Sequence, residues 1–249
     1  VEKKRVEVDK GQKHMIKAGV RIFNVRDFNA TGNGQDKDTA AIQKAIDACT
    51  CSGGGKVYCP PGKYLVGTIY LKSNVEFHLE AGATVTGSPD RCDYDNNEKT
   101  NNFGIKHIST LFVVYVICAR NARNVAITGL GTIDGNGRAF CVSRAPDDDE
   151  YSWRMAVRDW RPGNLLAFIE CQDVLIRDVH IVDSPCFTVW LLGCDRVRIQ
   201  GISILNNKDI SCTDGIDLDC CNDVHISDCY LYCGDDCIAL KTNVSILGK

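Results

Sequence analysis

Two acidic runs lie late in the 249-residue chain, Thr213-Asp214-Gly215-Ile216-Asp217-Leu218-Asp219 and Gly234-Asp235-Asp236-Cys237. A carboxyl group serves as proton donor or acceptor once its surroundings set its pKa, so grouped Asp residues point to general acid/base chemistry. The adjacent Asp235 and Asp236 repel one another when both are ionised, which raises one of them towards a proton-donating role. If the 21-residue step from Asp214 to Asp235 is one turn of a stacked structure, strands roughly 4.8 Å apart bring Asp214 beside that pair. Side chains splaying from neighbouring rungs then hold their carboxyl groups roughly 5–9 Å apart, a range that spans retaining and inverting cleavage of glycosidic bonds. A lone Asp carries no such message. Asp173, Asp183, Asp195 and Asp223 read as turn residues.

Whether 21 residues make one turn depends on the elements that hold the acids. Three segments align without gaps over eleven residues. They begin at Cys171, Cys194 and Cys221, with Val174/Ile176, Val197/Ile199 and Val224/Ile226 at matching offsets. A second apolar pair follows in each copy, as Val179/Ile181, Ile202/Ile204 and Cys229/Leu231. Weaker copies carry Val125 and Ile127, and before them Val75, Phe77 and Leu79. Each pair has the two-residue period of a strand, with a polar or Gly bend between pairs and a variable loop after them. A unit this small cannot bury its own apolar side, so copies must stack Val on Val and Ile on Ile. The chain is thus expected to be all-β, a right-handed parallel β-helix. Asp38-Thr39 opens an amphipathic helix with Ile42, Ala45, Ile46 and Cys49 on one face, ended by Ser52-Gly53-Gly54-Gly55. Such a helix caps the open end of a solenoid. The stretch from Arg138 to Pro162, with its acidic run at 147–150 and Trp153 and Trp160, reads as a loop excursion from the coils.

Composition narrows the partners. Apolar residues make up 44% and charged residues 24%, a globular balance. A net charge of −3 offers no electrostatic footprint for nucleic acid. No apolar run approaches the ~18 residues of a membrane helix. Fifteen Cys is an odd number, so full disulfide pairing within one chain is impossible. Pairs such as Cys49/Cys51 and Cys233/Cys237 lack the second half of a zinc site, and neither a metal nor a cofactor is expected. Free thiols used as small buried hydrophobes in a reducing compartment are favoured over a disulfide framework. Cys194 and Cys221, at one offset of consecutive copies, should stack. The opening Val1-Glu2-Lys3-Lys4-Arg5 shows no signal peptide and no initiator Met.

The sequence resembles glycoside hydrolase family 28, the polygalacturonases and related pectin-backbone hydrolases. The resemblance starts with Val25-Arg-Asp-Phe28-Asn-Ala-Thr-Gly-Asn-Gly34 and Gly53-Gly-Gly-Lys-Val-Tyr-Cys-Pro-Pro-Gly62, and runs through Gly131-Thr-Ile-Asp-Gly135 and Asn164-Leu-Leu-Ala-Phe168 to the two acidic runs. It implies inverting hydrolysis of α-1,4-galacturonosyl bonds in an acidic, pectin-type polysaccharide, without a metal. Asp235 matches the family's general acid, and Asp214 and Asp236 match the carboxylates that activate water. Asp217 and Trp190 are candidate substrate-binding residues, Trp190 being either a coil-stacking aromatic or a sugar platform. Cys212 stands where the family usually has Asn. A Gly-His-Gly turn and an Arg-x-Lys substrate clamp are absent before Lys249, so residues 1–249 read as a single β-helix domain truncated at its C-terminal end. The open last coil, with Ile238 and Leu240, is then expected to promote association. The resemblance points to secretion and the cell wall, against the reducing compartment suggested by the thiols. The competing readings are a non-catalytic module that binds acidic polysaccharide, a rhamnogalacturonan hydrolase, and a lyase. A lyase would want a Ca²⁺ cluster and a basic proton abstractor.

Overall fold

Val125, Val174, Val197 and Val224 form one column of side chains on neighbouring parallel strands, and Ile127, Ile176, Ile199 and Ile226 form the next. Ile133, Ile181, Ile204 and Leu231 make a third column on another sheet. Each buried Val or Ile contributes about 1.5–3 kcal/mol, which the repeat collects rung after rung. The computed structural model describes residues 21–95, 114–143 and 155–242. Across these the chain winds as a right-handed parallel β-helix with three sheets around one apolar core.

The first sheet has seven strands: Ile22–Asn24, Gly55–Cys59, Val75–Leu79, Arg123–Gly129, Gln172–Arg177, Asp195–Gln200 and Asn222–Ser227. The second runs beside it through Asn33–Lys37, Gly62–Val66, Ala83–Gly87, Thr132–Asp134, His180–Val182, Ser203–Leu205 and Tyr230–Tyr232. Between the two, Asp178, Gly201 and Asp228 occupy equivalent bends with φ of 67°, 66° and 57°. Asp and Gly are residue types that tolerate this left-handed turn, which accounts for the polar or Gly pair in each copy. Asn74, Asn124, Asp173 and Asp223 repeat the device at the start of the first-sheet strands, with φ of 52° to 63°. Arg196 is the exception in that column, and its guanidinium pairs with Asp173 at 2.7 Å and with Asp195.

The expected variable loop is in fact a third strand in each coil. Ile69–Leu71, Tyr115–Arg120, Asn164–Ile169, Phe187–Leu192, Ile216–Asp219 and Ile238–Lys241 form a six-stranded third sheet. Its central strands are buried on both faces, as Asn164–Ile169 is throughout. The polar/apolar alternation that marks a half-exposed strand is therefore erased.

Helix α1, Thr39–Cys51, buries Ala41, Ile42, Ala45, Ile46 and Cys49 against the first coils. Asp38 sits at its N-cap position but makes no side-chain cap. Its buried carboxylate instead accepts from the Thr31 and Gly32 amides at 2.6 and 3.0 Å, tying the preceding loop to the helix. Cys171, Cys194 and Cys221 do stack on successive coils, with the Asp195 and Asn222 amides donating to the Cys171 and Cys194 carbonyls. Trp160 packs on Tyr94 and edge-on to Phe140. The first five residues, the acidic run at 147–150 and Trp153 lie outside the described residues.

Candidate active site

The last two strands of the third sheet carry the acids. Ile216 is paired with Ile238, Asp217 with Ala239, and Asp219 with Lys241. One step before the strand, the Gly215 amide donates to the Asp236 carbonyl at 2.8 Å. The two acidic turns are thus neighbours on adjacent coils, in a 22-residue register that sets Asp214 against Asp236. Gly residues make the approach possible. A Cβ at Gly215 would lie 2.4 Å from the Cys237 carbonyl oxygen, and one at Gly234 would lie 2.5 Å from Thr213 Oγ1. Thr213, fully buried, donates to the Ile210 carbonyl and accepts from the Gly234 amide at 3.1 Å. Asn206 braces the other side, donating to Thr188 Oγ1 at 2.7 Å and to the Thr213 carbonyl at 3.0 Å.

Lys241 binds the cluster electrostatically. Its Nζ lies 3.5 Å from Asp214 Oδ2, is ion-paired with Asp217 Oδ1, and sits 3.9 Å above the Phe187 ring. Asp217 is fully buried. Desolvation pushes its carboxyl up to about 7, against the pull of Lys241 and with the help of Asp214's charge. Asp214 is 5% exposed and is also raised, chiefly by desolvation; Lys241 opposes the shift and the nearby Asp235 adds to it. Lys241 is held more firmly protonated, because its two carboxylate partners outweigh its own desolvation. Asp235 and Asp236 are exposed on the turn. The arrangement joins solvent-facing carboxylates to a buried pair, both shifted upward, held by Lys241. Such a set can give a proton to one face of a bound group and take one from water at another.

Of the expected site residues, Asp214, Asp235 and Asp236 come together, and Asp217 lies directly behind them. Asp217 and Trp190, the candidate substrate-binding residues, are both buried. Trp190, 5% exposed, is the register neighbour of Asp217 one coil earlier. It packs with Tyr115, Cys118, Ala167, Ile169 and Leu192 on the outer face of the third sheet. Lys241 and Asn206 were missed. Lys241 was legible once Ile216 is paired with Ile238, since that register sets it opposite Asp219; the buried Asn206 left no pattern. Among the described residues, no group of three or more His, Cys, Asp or Glu is gathered so as to hold a metal ion.

These features define a parallel β-helix protein with a carboxylate cluster on its third sheet. The chain belongs to glycosyl hydrolases family 28, whose family model matches residues 49–248. A probable polygalacturonase of Vitis vinifera is 30% identical over 221 residues, 87% of this chain and 43% of that protein. The exopolygalacturonase of Thermotoga maritima is 25% identical with a TM-score of 0.71, covering 89% of this chain and 55% of that one. The family 28 exopolygalacturonase of Yersinia enterocolitica shares the fold at a TM-score of 0.73 and 24% identity, over 90% of this chain and 45% of its own. The chain therefore spans about half the length of these relatives or less.

Proposed function

We propose that this chain supplies the acid/base half of an inverting glycoside hydrolase that cleaves α-1,4-galacturonosyl linkages in pectin. Asp235 protonates the departing glycosidic oxygen, and Asp214 and Asp236 activate the attacking water. Asp217 acts behind them, holding Lys241 beside Asp214, and Trp190 supports the strand that carries Asp217. The hydrogen bond from Gly215 to the Asp236 carbonyl carries this reading, because it makes the two acidic turns a single cluster. Membership of a polygalacturonase-containing family supports the substrate class. The single domain of residues 1–249 is proposed to be continued by further coils that complete the substrate clamp.

The test uses the longest natural protein containing this chain. On polygalacturonate it should release reducing ends without the ultraviolet absorbance of an unsaturated lyase product. Asp235→Asn keeps volume and hydrogen bonding but removes the proton donor. It should lower kcat by about 10²–10⁴-fold with the circular dichroism spectrum unchanged. Wild-type kcat in that variant would overturn the assignment of Asp235. A preference for rhamnogalacturonan would redirect the substrate, and an inert wild-type protein that still binds polygalacturonate would leave a binding module.

A further inference from the structure

The outer face of the second sheet changes character in the coils that carry the acids. In earlier coils its outward side chains are Thr84, Thr86, Thr132 and Asp134, a polar set suited to a strand that faces water. From there one outward column runs Thr132–His180–Ser203–Tyr230, and the other runs Asp134–Val182–Leu205–Tyr232. Leu205, Tyr232 and Tyr230 are 45%, 47% and 61% exposed, while Leu231 between the tyrosines turns into the core. Among the described residues, neither tyrosine hydroxyl takes part in a hydrogen bond. The two rings stand on one strand roughly 6.6 Å apart, and Leu205 lies one rung, roughly 4.8 Å, from Tyr232. Apolar side chains exposed singly are ordinary, but three that adjoin in register make a patch. None of His180, Val182, Ser203, Leu205, Tyr230 and Tyr232 is Asp, Glu, Lys or Arg, in a chain of which 24% is charged.

The patch is continuous with the carboxylate cluster. Tyr232 ends its strand and the chain turns at once into Gly234-Asp235-Asp236, so the Cα atoms of Tyr232 and Asp235 are no more than about 11 Å apart. Leu205 likewise lies on the coil that leads to Asp214. The coils that supply the acids therefore also supply the exposed rings. The further coils proposed above stack on the edge of the Tyr230–Tyr232 strand, not on its outer face, so the patch stays open in a longer protein. We propose that Tyr230, Tyr232 and Leu205 form a sugar-stacking platform that holds residues of the acidic polysaccharide beyond those at the carboxylate turn. This rests on the substrate class proposed above.

The chemistry of the patch selects this occupant. A pyranose ring has a face of C–H bonds and a rim of hydroxyls, and a Tyr ring offers it an apolar face and a polar tip. His180, with Nδ1 2.8 Å from Ser203 Oγ, adds a polar border beside the rings. A galacturonate chain carries a carboxylate on each sugar, and outward columns without Asp or Glu in these coils meet it without like-charge repulsion. A second copy of this chain is a poorer fit. A stable protein interface buries about 1,200–2,000 Å², far more than three side chains provide, whereas a sugar needs one ring to stack on.

The experiment uses the longest natural protein containing this chain, with polygalacturonate as substrate and digalacturonate as competitor. Release of reducing ends by the wild type establishes the substrate independently of the platform. In Tyr230→Ala combined with Tyr232→Ala, the KM for polygalacturonate should rise about tenfold as two ring contacts are lost, with kcat near wild type. The inhibition constant of digalacturonate should change far less, because a disaccharide at the acidic turn has no further sugars to lay on the platform. Tyr230→Phe combined with Tyr232→Phe keeps both rings and should restore the wild-type KM. An unchanged KM in the Ala pair, or an equal change in both constants, would overturn the platform and leave the hydrolase reading in place. Altered sedimentation of the Ala pair with unaltered polygalacturonate kinetics would assign the rings to a second copy and overturn it as well. A wild-type protein that neither cleaves nor binds polygalacturonate would remove the substrate reading and the platform with it.

Discussion

Among the described residues, Lys241 is the cation that pairs with both Asp214 and Asp217, and what it does follows from their shifted pKa values. Asp217 is raised from 3.8 to about 7. A carboxyl that binds its proton more tightly in the folded state takes stability away as pH climbs between those two values. Lys241 is shifted upward as well, so its own contribution is present below its usual pKa and is lost only at higher, alkaline pH. Replacing it in Lys241→Met leaves a buried carboxylate without its cation, a loss of about 3–5 kcal/mol when the charge must stay. At low pH the charge need not stay, because Asp217 takes up a proton. Urea denaturation of Lys241→Met should therefore show a large destabilisation at pH 8 and a clearly smaller one at pH 5. Adding Asp217→Asn should recover much of the loss at pH 8. Equal destabilisation at both pH values would show that Lys241 acts through packing on Phe187 instead.

At the level of elements, the site depends on how closely two turns can stack, and Gly215 sets that limit. Its amide donates to Asp236, and the space for a side chain is taken by the Cys237 carbonyl and by Cys233 Sγ, 2.4 and 2.9 Å from a would-be Cβ. Gly215→Ala should force the turns apart, costing about 1–3 kcal/mol of stability as overpacking does. In the longer protein, polygalacturonate hydrolysis should fall by more than the shift in the urea midpoint would account for, since Asp214 and Asp236 lose their register. A variant that keeps full activity would mean the register does not govern the chemistry. The same elements explain what the sequence could tell. Columns such as Val174–Val197–Val224 were legible because one apolar face alternates with a solvated one, and that contrast survives in a linear pattern. Phe187–Leu192 was not legible as a strand, because Trp190 and Leu192 are covered on the outer face while Val189 and Leu191 fill the core. The cluster of Asp214, Asp235 and Asp236 was readable from repeat spacing, since a solenoid converts sequence distance into rung number. Burial of Asp217 was not, because it depends on the side chains of other coils. Asp38 shows the same limit: its type suits a cap, but its carboxylate is claimed by amides of a loop that spacing does not mention.

Across the whole molecule, burial falls off along the stack, and the final rung shows how a solenoid depends on its next layer. Val125, Val174 and Val197 are buried, whereas Val224 at the same position is only half-buried. Ile238 and Leu240 point along the core columns of Ile216 and Leu218, yet they are 46% and 80% exposed. Unpaired strand edges lie beside this apolar surface, a combination that recruits another chain. The 249-residue chain expressed by itself should therefore self-associate through this face. Sedimentation velocity should show a concentration-dependent shift from monomer to larger species. Leu240→Glu combined with Ile238→Lys should move the chain back towards monomer, because placing charge on that face penalises its burial without touching the inner rungs. In the longest natural protein containing this chain, if the proposed further coils cover Ile238 and Leu240, the wild-type protein should be monomeric without either substitution. A wild-type 249-residue chain that stays monomeric at high concentration would show that Ile238 and Leu240 do not form an associating surface.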